Sequence, residues 1–232
     1  MVSIQSVYEA VKDLANKDQK GFVTPEIFNS FAKIAQLNIY YEIFQDLIEG
    51  NKGRKMNIDP SRNLSVVNRT KGDLSTFLTK TNLSKSGGVF KKPEDTHSVV
   101  SINYKTSSTS KTVCHLIYDE DKIQHIINST LSAPSVTFPV ALIADSIEVF
   151  PTTISKVELR YYRGPSTPSY QVEVANITAA AEISFFNPST SEDFELPYHY
   201  EQDLVYEIAK MIGLNVRDIQ VEQFAETEDN KQ

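Results

Sequence analysis

Four histidines, one cysteine and a few clustered carboxylates are the side chains in this 232-residue chain that could hold a metal or move a proton. A metal site built on histidine needs close ligand spacing such as HxH or HExxH. His97, His115, His125 and His199 show no such spacing. His115 and His125 could still meet in space, but each suits an ordinary strand or surface position. Cys114 stands alone, which excludes an internal disulfide and a multi-cysteine metal site. Its alternating surroundings mark it as a small buried apolar residue. Asp119, Glu120 and Asp121 lie in a turn that starts a helix, where acids complement the helix dipole. They are expected to cap that helix, not to form a general acid and base. No GxSxG, P-loop or GxGxxG occurs. With no nucleophile, base or metal set in view, neither an enzyme nor a cofactor is expected.

One stretch, ANKDQKGFVTPEIF at 15–28, has the outline of a calcium loop. With Gly21 at the sixth position, Lys20 falls on a ligand position and Ile27 on the twelfth, where a bidentate Glu should close the site. Those two residues exclude it. The same residues suit a helix boundary: Gly21 can end one helix, Thr24 can cap the next, and Pro25 fits its first position.

The elements around that corner follow from periodicity. Ile4, Val7, Tyr8, Val11, Leu14 and Ala15 recur at helical spacing, and Ile27, Phe31, Ala35, Ile39, Ile43 and Leu47 form an i, i+4 row. A helical hairpin is expected over residues 1–50. Residues 51–96 are rich in Asn, Ser, Thr, Lys and Gly and lose periodicity, which reads as an extended arm or long loop ordered only in an assembly. Strand patterns occupy 98–104, 112–118, 138–150, 154–162 and 170–174, with a helix at 121–131 whose apolar face is Ile123, Ile126, Ile127 and Leu131. A β-rich core is therefore expected over 97–190. A helix from Asp203 ending at Gly213, a shorter one near Ile219, Val221 and Phe224, and an acidic tail complete 191–232. The class is α+β: an N-terminal helical hairpin, a central, mostly antiparallel sheet region and C-terminal helices. The opening MVSIQSVYEAVKD lacks a signal-peptide pattern and no window approaches a membrane span, so a soluble chain made in a cytoplasm is expected.

The net charge of −7 hides an asymmetry. From Lys52 to Lys92, ten Lys/Arg stand against Asp59 and Asp73, a net +8. From Glu192 to Gln232, eleven acids stand against Lys210, Arg217 and Lys231, a net −8. Such blocks suit self-association, a partner of opposite charge, or two solvated surfaces. If they pair, Lys91 and Lys92 of one copy meet acids such as Glu222 and Glu226 of another. The basic segment has few interleaved aromatics, so sequence-blind phosphate contact through 52–92 is the alternative to self-assembly. A second interface candidate is LRYYRGPSTPSY at 159–170. Arg160, Tyr161, Tyr162, Arg163 and Pro165 combine the types enriched in interface cores with a rigid turn, though they equally suit a tyrosine-capped strand end.

Three segments together carry a family likeness: VYEAVKDLANKDQKGFVTPEIFNSFAKIAQLNIYYEIF, LRYYRGPSTP and FELPYHYEQDLVYEIAKMIGLNVRDIQVEQFA. As a set they resemble virion structural proteins of podovirus-like tailed bacteriophages, in particular the tail-barrel ring proteins of crAss-like phages. The likeness implies a homo-oligomeric, dodecameric ring of the head–tail connector, portal-proximal, through which the genome passes. Its implied partners are further copies of itself, the portal protein, neighbouring tail ring proteins and, transiently, phage DNA. It would be assembled in the host cytoplasm and reside in the virion tail, with no membrane contact.

Overall fold

The computed structural model describes residues 1–17, 23–56, 60–105, 110–178 and 181–216. The chain begins with α1 (Ile4–Lys17), α2 (Pro25–Lys55) and α3 (Pro60–Asp73), followed by a 3-10 turn at Leu74–Phe77. It continues through β1 (Leu78–Ser84), β2 (Phe90–Lys91), β3 (Thr96–Lys105), β4 (Lys111–Val113), β5 (His115–Ile117), α4 (Glu120–Ile127), β6 (Val140–Ile143), β7 (Ser146–Phe150) and β8 (Lys156–Arg163). It ends with β9 (Val172–Thr178), β10 (Ala181–Phe186), a 3-10 turn at Tyr198–Tyr200 and α5 (Glu201–Val216). The α+β class stands. Two units result: one from both ends of the chain, Met1–Thr76 with Pro165–Gln232, and one from the contiguous segment Phe77–Gly164.

In the first unit α1 buries Ile4, Val7, Tyr8 and Val11. Thr24 starts α2 as expected: its Oγ1 accepts from the Ile27 N–H at 3.3 Å and its carbonyl from the Phe28 N–H at 3.0 Å. The buried face of α2 differs from the expected row. Phe28, Ala32, Gln36, Tyr40 and Phe44 are all buried, joined by Ala35, Ile39 and Ile43, whereas Ile27 is exposed. Gln36 interrupts the apolar repeat and so shifted the reading by one residue. The expected hairpin packing of α1 on α2 is not what dominates: both helices pack on α5, and Tyr8 of α1 meets Phe28 of α2 edge-on at 5.0 Å. α5 does not stop at Gly213 but runs on to Val216. The corner residues 18–22, including Lys20 and Gly21, and the expected helix near Ile219 lie outside the described residues.

Residues 51–96 are not an extended arm. They hold the end of α2, all of α3 and the strands β1 and β2. The buried stripe of α3 and its 3-10 extension is Val67, Thr70, Leu74 and Phe77, which is helical spacing with a hydroxyl in it. Thr70 is tolerated inside because its Oγ1 donates to the Val66 carbonyl at 2.8 Å. α3 packs closely on the end of α2, where Gly50 leaves room for Val67: a methyl on Gly50 would sit 2.8 Å from Val67 Cγ2.

The second unit contains two four-stranded sheets, ordered β1-β8-β3-β4 and β2-β7-β6-β5. Phe90, Ile102, Ala141, Ile147, Val149, Ile154, Val157 and Leu159, drawn from both sheets and the loops between strands, form one core. The expected strand 112–118 breaks at Cys114 and changes sheet there. The Cys114 N–H donates to the Ile102 carbonyl at 2.8 Å and the His115 N–H to Pro139 at 2.9 Å. Cys114 is thus buried where the chain crosses, and burial pushes its thiol up to about 11. The expected strand 138–150 likewise folds into the hairpin β6–β7. β5 and β6 are parallel, which demands a crossover, and α4 provides it. Asp119 caps α4 as expected, accepting from the Asp121 and Lys122 N–H groups. α4 ends at Ile127, so Leu131 is not on its apolar face but 95% exposed in the following turn.

Candidate functional site

The motif at 159–170 runs along β8 and out of it, crossing from one unit to the other between Gly164 and Pro165. Most of its side chains have partners within the chain. Arg160 Nε lies 3.3 Å from Glu158 Oε1, and Lys111 Nζ lies 2.5 Å from the other carboxylate oxygen. The hydrogen bond from Lys111, followed by charge from both cations, holds the Glu158 carboxyl below the usual range. Tyr161 is buried; its hydroxyl donates to Asp95 Oδ1 at 3.1 Å, and burial above all raises its phenol. Asp95 also accepts, through its carbonyl, the Gly164 N–H at 3.0 Å. Arg163 Nη1 donates to the Gly164 carbonyl at 3.1 Å, and its guanidinium sits 5.8 Å from the Phe77 ring centroid. Tyr162 is half-buried, as is Pro165. This part of the motif is a strand end locked by the Asp95–Tyr161 pair, the Arg160–Glu158 ion pair and Arg163 over Phe77.

Beyond Pro165 the extended chain is held by two amides of α2, seven residues apart, that sequence reasoning did not single out. Asn29 Nδ2 donates to the Tyr170 carbonyl at 3.0 Å while its Oδ1 accepts the Tyr170 N–H at 2.7 Å. Gln36 Nε2 donates to the Ser166 carbonyl at 2.6 Å and its Oε1 accepts the Glu195 N–H at 3.0 Å. Glu195 closes the loop by accepting the Ser166 N–H at 2.8 Å. Seven helical residues span about 10 Å and four extended ones about 13 Å, so one helix edge can clamp one strand-like segment at both ends. The ring of Tyr170 lies between those of Tyr8 and Phe186, at centroid distances of 4.1 and 5.0 Å. Nearby, Asp193 Oδ1 accepts the Ile4 N–H at 2.9 Å, and Val2 bridges Phe194. The only signal for this clamp in the sequence is a glutamine breaking the series Phe28, Ala32, Tyr40, Phe44.

The remaining candidates are scattered. Lys91 pairs with Glu94 at 3.4 Å with both side chains exposed, and Lys92 Nζ donates to the Ala144 carbonyl at 3.1 Å. Glu222 and Glu226 lie outside the described residues. The basic residues of 52–92 do not form one arm: Arg62, Arg69 and Lys71 are on α3, Lys80 and Lys91 on β1 and β2. An open groove of about 740 Å³ lies against α2, α3 and α5, with Glu42, Asp46, Asp203 and Glu207 facing Arg69 and Lys210. His199 Nε2 is 3.5 Å from Asp73 Oδ1, beside Tyr200, whose hydroxyl donates to the other oxygen of Asp73 at 3.3 Å. His97 is half-buried, and burial lowers its pKa. Among the described residues no group of three or more His, Cys, Asp or Glu is placed to hold a metal, and no helix is long and apolar enough to cross a membrane. No protein-family model and no curated protein matches the chain.

Proposed function

We propose that this chain is a virion structural protein, a subunit of the homo-oligomeric, twelvefold ring in the head–tail connector of a tailed bacteriophage. The ring is portal-proximal and passes the genome through its centre. The observation that carries this reading is that parts of the three segments bearing the family likeness meet. Within one unit α2, the PSTP end of the middle segment and the FELPYHY segment are joined by Gln36 and Glu195, while LRYYRG belongs to the other unit. The alternative, sequence-blind nucleic-acid binding by a basic arm, is weakened because those cations are divided between α2 and α3 of one unit and the strands and turns of the other.

Light scattering on the purified chain is the test. A particle of about twelve copies supports the ring; a mass of one chain at all concentrations overturns it. If the two charge blocks pair between copies, reversing Lys91 and Lys92 to Glu impairs assembly, and reversing Glu222 and Glu226 to Lys in the same chain restores it. If the acidic block lines the channel, its reversal leaves assembly intact and slows DNA release, because a ring of carboxylates repels passing phosphates.

A further inference from the structure

β9 and β10 form a two-stranded antiparallel sheet of their own. Among the described residues the two strands pack closely on each other, and no other helix or strand packs on them to a comparable extent. Among the described residues the ribbon is fastened at its base, where Phe186 stacks on Tyr170 and Ser169 bridges Glu192. Further out Phe185 is 53% exposed. A lone two-stranded ribbon is marginal in water, and among the described residues neither of its edges pairs with a further strand. It calls for a third strand.

The chain carries a matching edge in its other unit. Four strands there end a sheet: β1, β4, β2 and β5. β4 and β5 have three residues each and β2 has two, but β1 has seven, the same length as β9 and one more than β10. β1 pairs with β8 in unbroken register from Leu78 to Ser84, without the bulge that commonly protects an edge. Charge is complementary as well. The ribbon contains Glu173 and Glu182 and no base, while β1 contains Lys80 and no acid, with Lys85 directly after it.

We infer that the β9–β10 ribbon of one copy adds as extra strands to the open β1 edge of the next copy. The inference rests on the self-assembly reading above and specifies the contact by which neighbours join. Main-chain hydrogen bonds supply the attachment, and the Glu–Lys complement selects the partner edge. The contact is head-to-tail, ribbon against edge, so each copy keeps one free ribbon and one free edge until the ring closes.

Two full-length variants test it: Glu173→Lys with Glu182→Lys on the ribbon, and Lys80→Glu with Asn82→Glu on the edge. Glu173, Lys80 and Asn82 are exposed, so the fold tolerates the changes. Each variant alone places like charges across the joint and is expected to self-associate at least about tenfold more weakly by light scattering. Mixed one to one, the variants alternate, reversed ribbon meets reversed edge, wild-type ribbon meets wild-type edge, and the assembled mass returns. Deuterium exchange of the outward-facing amides of 78–84, those that do not donate to β8, gives the second reading, slow in the assembly and fast in each variant alone. If the wild type assembles while the reversals change neither mass nor exchange, the ribbon contact is wrong and the ring stands. If the outward-facing 78–84 amides are equally protected in single chains, the ribbon does not join copies. If the wild type never exceeds one chain, the ring reading falls and this contact with it.

Discussion

Gln36 is the residue on which the clamp depends. It is 1% exposed, and its amide satisfies one acceptor and one donor of segments 130 and 159 residues away. Gln36→Leu removes both partners and should lower unfolding stability by about 2–4 kcal/mol in urea titrations. Gln36→Glu should also destabilise, because a carboxylate accepts from Glu195 but cannot donate to Ser166. Tyr200 makes a pH prediction. Burial first, and the Asp73 carboxylate second, raise its phenol above the ordinary value. A raised folded pKa means that its stabilisation is full below about pH 10 and is lost as pH rises beyond it. Thermal melts of wild type should fall on the alkaline side, and Tyr200→Phe should flatten that fall; an unchanged slope would assign the loss to Tyr8, Tyr161, Tyr162 and Tyr170, also raised chiefly by burial. At neutral pH the same substitution should cost about 1–2 kcal/mol through the lost hydrogen bond to Asp73.

At the scale of elements, the seam between α2 and α3 depends on glycine spacing. A methyl at Gly50 would lie 2.8 Å from Val67 Cγ2, inside a packed contact, whereas one at Gly53 meets the side-chain amide of Asn63, which can turn away. In a helix interior Gly→Ala ordinarily stabilises by roughly 1 kcal/mol. Gly53→Ala should therefore be near neutral, while Gly50→Ala should lose about 1–2 kcal/mol net through overpacking. Adding Val67→Ala should reduce the penalty of Gly50→Ala, a coupling that a double-mutant cycle measures directly. The start of α2 is simpler: Thr24→Ala should cost about 1 kcal/mol, since one capping oxygen disappears.

At the scale of the molecule, the segment Phe77–Gly164 is continuous, and among the described residues its core cluster is built from that segment, including Phe90, Ile102, Ile147 and Leu159. Produced as residues 77–164, it should give a dispersed amide spectrum and a single cooperative melt; a collapsed spectrum would show that it needs the terminal unit. Cys114 reports on the same unit in the whole chain. Buried, with its thiol raised to about 11, it should react with a disulfide reagent only as fast as this unit opens.

Local pattern alone determined much of this protein. Helix starts at Thr24–Pro25 and Asp119, the strand-rich middle, the buried cysteine and the α+β class all follow from interactions within a few residues, which a linear sequence displays. Tertiary structure decided the rest wherever a polar group went inside. α3 read as an arm because Thr70 lies on its buried stripe. The α2 face was displaced because Gln36 occupies the core position between Ala32 and Tyr40, and the strand at 112–118 changes sheet at Cys114 through hydrogen bonds to Ile102 and Pro139. Leu131 has the apolar character of a core residue and the spacing of one, but α4 stops a turn short of it. In the first three cases a burial or a backbone turn is made favourable by hydrogen-bond partners, some distant in the sequence, and only the folded chain brings those partners within about 3 Å.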